Sequence, residues 1–270
     1  RYGLNPYVYP DVNWGDLIFK DFATNQRANI NISGGGQKVT YYMSLNGNND
    51  TGLLDSPKYY SWNNNINNMG YNFQNNISVK VTSTTTIDLN MNTQIRNNRG
   101  PKNSVDDLFK MMLSSNPINF PAVFPAQEGD QHVKYGNSIL TANYTRINPY
   151  AYMATTFKQV DSNMLHTTLK IKQNLDFVTK GLSAKAIGNY DPTTVKDKDW
   201  HEPKPTYYTY NAKTDKYDAT VSSDKYSLGQ STKNWRELTG QLMLNYNRTF
   251  GKHAVGALAV WEARKTLYDY

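Results

Sequence analysis

The 270-residue chain has no cysteine, so neither disulfide bridges nor thiolate metal sites are available to it. Its four histidines, His132, His166, His201 and His253, are far apart and lack paired or E-x-x-H spacing, which argues against a metal centre. Long hydrophobic runs are missing as well: no stretch approaches the ~20 apolar residues of a membrane-crossing helix. The hydrophobic share is 38%, below the roughly 45–50% of an ordinary globular domain, and mean hydropathy is −0.71. A chain this polar has too little apolar matter to fill a conventional core. The formal charge of +7, with a pI near 9.2, is scattered along the sequence and forms no dense cluster or recognition helix, which disfavours nucleic acid. A basic chain also attracts anionic lipid headgroups, without specificity.

What the chain has in abundance is alternation. In residues 87–96, Ile87, Leu89, Met91, Thr93 and Ile95 take one face, and Asp88, Asn90, Asn92, Gln94 and Arg96 the other. Side chains on a strand point alternately to opposite faces, so this segment is greasy on one side and wet on the other. The same period marks residues 27–34, 39–48, 72–81, 167–177, 182–190 and 238–247, while 254–263 is apolar on both faces. The connections are sorted. Links 34–38, 82–86, 179–181 and 250–253 are short and carry turn formers, whereas 49–71, 97–166 and 191–237 are long. Strict alternation of short and long links in an antiparallel meander puts every turn at one end and every loop at the other, the arrangement of bacterial barrels.

The fold class that follows is all-β: an antiparallel up-and-down transmembrane β-barrel with long extracellular loops. A tilted strand of about 9–11 residues crosses a bilayer, so the missing apolar helix is no obstacle. Only helices and closed barrels satisfy their backbone in lipid. The expected lipid-facing row is Phe73, Ile77, Val79, Ile87, Leu89, Met91, Leu169, Ile171 and Leu175. Tyrosines and tryptophans near strand ends, among them Tyr59, Tyr60, Trp62, Tyr71, Tyr246 and Trp261, supply candidates for interfacial girdles, with some lining loops. Within the longest link, Asp106 and Asp107 precede Leu108, Phe109, Met111, Met112 and Leu113, which reads as a short helix with acids in its first turn.

Catalytic readings are weaker. Gly34-Gly35-Gly36-Gln37-Lys38 is superficially like a phosphate loop but lacks the G-x-x-x-x-G-K-[ST] spacing and opens a strand. Asp106 with Asp107, or Asp197 with Asp199, are sequence neighbours that rarely flank a common glycosidic bond. No nucleophile, histidine and acid arrangement is detectable, and no enzymatic activity or cofactor is expected. Substrate-binding candidates are the wet-face residues Asn90, Asn92, Gln94 and Arg96, whose amides and guanidinium suit sugar hydroxyls or peptide backbone, against the plainer role of hydrating a lumen. The loop aromatics Trp62, Trp200, Tyr207, Tyr208 and Tyr210 suit stacking on a sugar face, docking to a partner, or loop packing. The 97–166 link is expected to fold over the barrel mouth or against a partner.

Three stretches carry a resemblance. They are Trp14, Asp16, Ile18 and Phe19; then Asn29, Ile30, Ile32, Ser33, Gly34 and Gly35; then Tyr41, Tyr42, Ser44 and Leu45. Together they resemble the entry into the barrel of SusC/RagA-like TonB-dependent transporters, where W-x-D-x-I-F is followed by N-x-S-[VI]-S-G-G and T-x-Y-x-x-S. The match continues through Gly52, the strand end at 76–81, and Leu244 to Gly251, which resembles a later N-Y-x-R-T-F-G hairpin. The resemblance implies a plugged barrel of about 22 strands. At eight strands in 270 residues such a barrel needs roughly 740 residues. On that footing residues 1–22 are a lead-in with a short helix, 23–270 the N-terminal part of the barrel, and the plug and remaining barrel lie outside this chain. It further implies import of oligosaccharides or peptides across a Bacteroidota-type outer membrane, a SusD-like lipoprotein lid, coupling to the TonB complex, and dimers of transporter and lid pairs. The alternative is a soluble or surface-anchored β-rich glycan-binding module without transport. In that case the outward row must be packed, not exposed.

Overall fold

The computed structural model describes residues 4–137, 148–201, 206–221 and 227–269. In chain order the elements are α1 (Trp14–Ile18), β1 (Asn25–Gly35), β2 (Val39–Thr51), β3 (Asn67–Lys80), β4 (Thr85–Gly100), α2 (Val105–Ser114), β5 (Tyr135–Gly136), α3 (Pro149–Ala154), β6 (Thr156–Asn174), β7 (Leu182–His201), β8 (Tyr207–Asn211), β9 (Lys216–Val221), β10 (Ser227–Phe250) and β11 (His253–Asp269). Eight of the strands form one antiparallel sheet in the order β1-β2-β3-β4-β6-β7-β10-β11. Each segment singled out by alternation is one of them. Neighbours in sequence are neighbours in space, and among the described residues β1 and β11 do not pair with each other. The sheet is an open section of an up-and-down barrel wall. No helix is long and apolar enough to cross a membrane among the described residues.

Register explains the two faces. Directly opposed residues in an antiparallel pair share a face, and one row runs Val39–Val79–Ile87–Ile171–Ala186–Leu242–Trp261 across seven strands. The next like-facing row is Tyr41–Ile77–Leu89–Leu169–Gly188–Gly240–Ala263. A slip of one residue would turn every one of these side chains to the wrong side. The apolar band also slides. On β1 it comprises Ala28, Ile30 and Ile32, level with Ile95 to Met91 of β4; on β11 it runs from Ala263, level with Leu89, down to Val255 beside the last turn. Its middle moves by about eight residues over seven strand steps, roughly 26 Å in 34 Å, which corresponds to strands tilted by about 38°. A band level with the membrane on tilted strands has that slope.

Strand lengths depart from the sequence reading mainly at the loop end. β6, β7 and β10 reach 19, 20 and 24 residues, all extended toward the long loops. Beyond the band both faces meet water, so the alternation ends while the ladder continues, held by cross-strand pairs such as Lys158–Asp197 at 3.0 Å. At the other end β6 stops at Asn174, short of the expected 177. The Leu175 carbonyl accepts from Val178 and Thr179, closing a tight turn, so Leu175 belongs to a turn and not to the strand. Gly181 completes that turn at φ +88°, where an added Cβ would meet the Asn247 carbonyl of β10 at 2.0 Å. Of the aromatic residues named for girdles, Tyr71 and Tyr246 lie on the apolar face near opposite ends of the band, and Trp261 lies within it. Tyr59, Tyr60 and Trp62 are loop residues.

The buried core is not in this sheet. Trp14 and Ile18 of α1, Leu54, Leu108 of α2, Phe120, Ala122, Tyr135 and the α3 residues Tyr150, Ala151, Met153 and Ala154 form one apolar cluster, all from the lead-in and the long links. Together with a small sheet in the order β5-β8-β9 they make a packed cap at the loop end. The lead-in is sewn to the first loop by Lys20 N–H to Leu53 O (2.7 Å) and Asp55 N–H to Ile18 O (2.8 Å). Two fully buried asparagines tie the loops together. Asn148 caps α3, its Oδ1 accepting from the amides of Tyr150 (3.0 Å) and Ala151 (3.2 Å), while Nδ2 donates to Ala122 O (2.8 Å) and Gly136 O (3.1 Å). Asn64 Nδ2 donates to the carbonyls of Met153 and Thr156, and its Oδ1 accepts from Ser56.

Asn148→Ala strands two buried N–H groups and two carbonyls at once. The expected cost is about 2 kcal/mol of local stability, a roughly thirtyfold rise in cap opening. Hydrogen exchange of residues 101–137 and 148–155 should show it, with the amides of β3 and β4 unchanged.

Candidate functional site

The face opposite the apolar rows is a grid of amides and hydroxyls. Asn29–Asn46–Asn72–Gln94 form one row across β1 to β4, and Asn31–Ser44–Gln74–Asn92–His166 the next, reaching β6. A third runs Ser33–Tyr42–Asn76–Asn90–Thr168–Asn189–Thr239. Along β4 the residues are chained: Arg96 donates to Gln94 Oε1 at 3.1 Å and Gln94 Nε2 to Asn92 Oδ1 at 3.4 Å. Asn90 sits beside a shallow depression of about 390 Å³ lined also by Thr40, Tyr42, Asn76, Asp88 and Lys170. There Ser78 donates to Asp88 at 2.6 Å and Lys170 stands 3.8 Å from the same carboxylate. The four wet-face candidates therefore occupy one surface, in register with amides of four other strands, β1, β2, β3 and β7. Parity would have found those partners once the register was known. Each amide both donates and accepts, so the grid offers the complement of a peptide backbone or a run of sugar hydroxyls.

The five aromatic candidates do not converge on that surface. Trp62 stacks on Tyr60 at 4.6 Å and meets Trp200 edge-on at 5.2 Å, and Tyr60 Oη lies 2.9 Å from Tyr135 Oη at the cap's core. Tyr207 packs against the same core. Tyr208 stacks on His132 with a 2.6 Å contact from Nε2 to Oη. Tyr210 joins Tyr7, Phe124 and Tyr217 in a ring of four aromatics with centroid separations of 5.0–6.0 Å. These contacts make Trp62, Trp200 and Tyr207 packing residues of the cap and leave Tyr208 and Tyr210 nearer its surface.

The carboxylate neighbours have structural partners. Asp106 and Asp107 lie in the first turn of α2, capped by Ser104, as their spacing implied. Asp197 pairs with Lys158 and Asp199 with Lys102, each across the sheet or loop. His166 Nδ1 lies 2.5 Å from Asp191, on the wet face. Among the described residues no three His, Asp or Glu side chains gather as metal ligands. His201 is described only as a backbone position. In the cap, Lys134 is nearly buried, with its Nζ 3.1 Å from Gln127 Oε1, bonded to Asp130, and 5.2 Å from the Tyr217 ring centroid. The Lys134 bond, then the Gln127 amide at 2.6 Å, hold the Asp130 carboxyl below its ordinary value of 3.8. Burial raises Tyr150, with help from Tyr59.

An open antiparallel sheet, apolar on one face and amide-lined on the other, with a cap on its loop end, is the wall of a large up-and-down barrel. Solved structures of the RagAB peptide transporter are similar to it in fold. One is similar over 98% of this chain and 27% of its own, with TM-score 0.65 and 17% identity. The RagAB peptide importer in the closed-closed state gives TM-score 0.62 and 15% identity over 98% of this chain and 28% of that one. Its open-open state gives 0.61 and 15% over 96% and 27%. The chain thus spans about a quarter of the length of these structures, and the likeness is one of fold. No protein-family model matches the chain, and no curated protein is similar in sequence.

Because the Asp130 pKa is depressed, its contribution to the 127–130 turn is complete above pH 3.8 and is lost as pH falls through the folded-state value below that. Exchange protection of the Gln127 amide, measured relative to intrinsic rates, should hold at pH 5 and vanish in strong acid. In Asp130→Asn it should show no such transition.

Proposed function

We propose that this chain forms part of the barrel wall and outer cap of an outer-membrane importer of oligosaccharides or peptides, energised through TonB and closed by a SusD-like surface lipoprotein. The carrying observation is the sheet itself. One face carries apolar side chains on all eight strands, broken by Asn75, Thr93, Thr167 and Gln173, and no second sheet packs on it among the described residues, while the other is lined on β1–β4, β6 and β7 mainly by Asn, Gln, Ser, Thr and Lys. Lipid outside and a wet lumen inside suit both faces. A soluble glycan-binding module would have to cover Leu169 and Ile171, which are 44% and 39% exposed, with a second layer. The fold shared with the RagAB structures supports the same reading, as does the order of motifs from Trp14 to Leu45.

Roles divide along the chain. The amide grid around Asn90, Asn92, Gln94 and Arg96 hydrates the lumen and offers transient hydrogen bonds to a passing peptide or glycan. The apolar row from Phe73 to Ile171 meets acyl chains. The cap built on residues 101–137 and 148–155, with Tyr208 and Tyr210 toward its surface, contributes the docking face for the lipoprotein, and residues 4–22 anchor that cap to the first strand. The function is conduction, without chemistry on the substrate.

Two measurements test this. Native purification from the source membrane in detergent should yield a species far heavier than 30.8 kDa with a lipoprotein attached; a lone soluble species of that mass would refute the proposal. Leu89→Lys places a charge in the apolar band, where such a change costs about 2–4 kcal/mol near the bilayer midplane. It should cut the heat-modifiable, folded fraction in outer membranes severalfold, while the neighbouring Asn90→Lys leaves it intact. Equal effects of the two would count against a lipid-facing row.

A further inference from the structure

The basic residues that are scattered in sequence are aligned by the sheet. Lys80 N–H donates to Lys38 O at 2.7 Å, which places Lys38 level with Lys80 beside the first turn. From Lys80 the register continues to Thr86, Lys172 and Lys185. All four lysines share parity with Thr40, Ser78, Lys170 and Ile187, hence with the amide-lined face. Four lysines therefore stand in one inward row, interrupted only by Thr86, over roughly 20 Å of wall. Lys172 and Lys185 are direct cross-strand partners, and like charges so placed repel.

Nothing in the sheet neutralises the row. None of the four has an ion pair among the described residues, and the nearest inward carboxylate, Asp88, already accepts from Ser78 and faces Lys170. The asymmetry extends to the whole turn end. Residues 34–42, 76–90, 168–188 and 242–260 carry eight Lys and Arg against two acids, Asp88 and Asp176, so most of the +7 charge lies there and the remainder is close to balanced.

We infer that this lysine row is a docking strip for an acidic polypeptide segment that lies inside the barrel against the wall at its turn end. The inference rests on the barrel reading above. A barrel of about 22 strands has its lumen plugged by polypeptide, and the part of the plug that meets this section must supply the missing carboxylates. Amide and hydroxyl rows above the strip form weak, exchangeable contacts. The strip alone fixes charge, so it sets where the plug is held most firmly.

The test is zero-length carbodiimide crosslinking of the whole protein in detergent, which joins Lys amines only to carboxylates in direct contact, followed by peptide mass mapping. Links from Lys38, Lys80, Lys172 or Lys185 to Asp or Glu of a segment outside residues 1–270 are expected. A Lys172→Gln/Lys185→Gln variant should lose the links from those positions and show severalfold faster protease cleavage of the joined segment. A folded, heat-modifiable barrel whose lysines link only to Asp88, to bound peptide or to nothing overturns the inference and leaves the transporter reading intact. A protein without heat-modifiable behaviour overturns both.

Discussion

No backbone amide that crosses lipid can be left unpaired, and every other feature of this chain is subordinate to that requirement. The ladder from β1 to β11 runs without a crossover, so each interior strand gives its hydrogen bonds to the two neighbours that precede and follow it in the sheet. Once the ladder is fixed, alternation gives the rest: one parity of side chain belongs to the outside and the other to the inside. The apolar residues of the eight-stranded sheet build no core of their own. On the proposed reading they match lipid, and 38% hydrophobic content is then enough for 270 residues. Conventional packing is confined to the cap, where Trp14, Leu54, Phe120 and Met153 come together from segments with no period of their own.

How much of this could be read from the residues follows from the same division. Within the apolar band the two faces meet different solvents, so Ile87, Leu89 and Met91 against Asp88, Asn90 and Asn92 announce a strand and its orientation. Above the band both faces are wet. Residues such as Gln159, Asp161, Lys196 and Lys198 carry no alternation, and the long extensions of β6, β7 and β10 were invisible for that reason. The helix at Asp106 was legible through its cap and acids; α3 was not, because its start depends on Asn148 reaching two carbonyls distant in sequence. The wet-face candidates fell on one surface since parity is local. The aromatic candidates scattered because loop packing is a tertiary matter.

The motif that opens the barrel also acquires a physical meaning. Trp14 and Ile18 are both almost wholly buried in the cap, Asp16 accepts from Asn13 Nδ2 at 2.6 Å in the first turn, and Phe19 bridges to Leu54. The W-x-D-x-I-F pattern is thus a one-turn helix that fastens the start of β1 to the first long loop. Its value lies in fixing where the wall begins relative to the cap, a tie that propensity in so short a helix could not hold unaided.

The upper part of β6 has a bearing on reach. From Leu165 back to Thr156 the strand continues for nine residues beyond the apolar band, about 30 Å of chain and roughly 25 Å of height at the tilt of the sheet. With the apolar band at the lipid level, as proposed, the cap stands on a palisade of strands well clear of the headgroups. Any molecule that meets it does so in open water, and the descent to the lipid level is made along a wall that is wet on both sides for its first half.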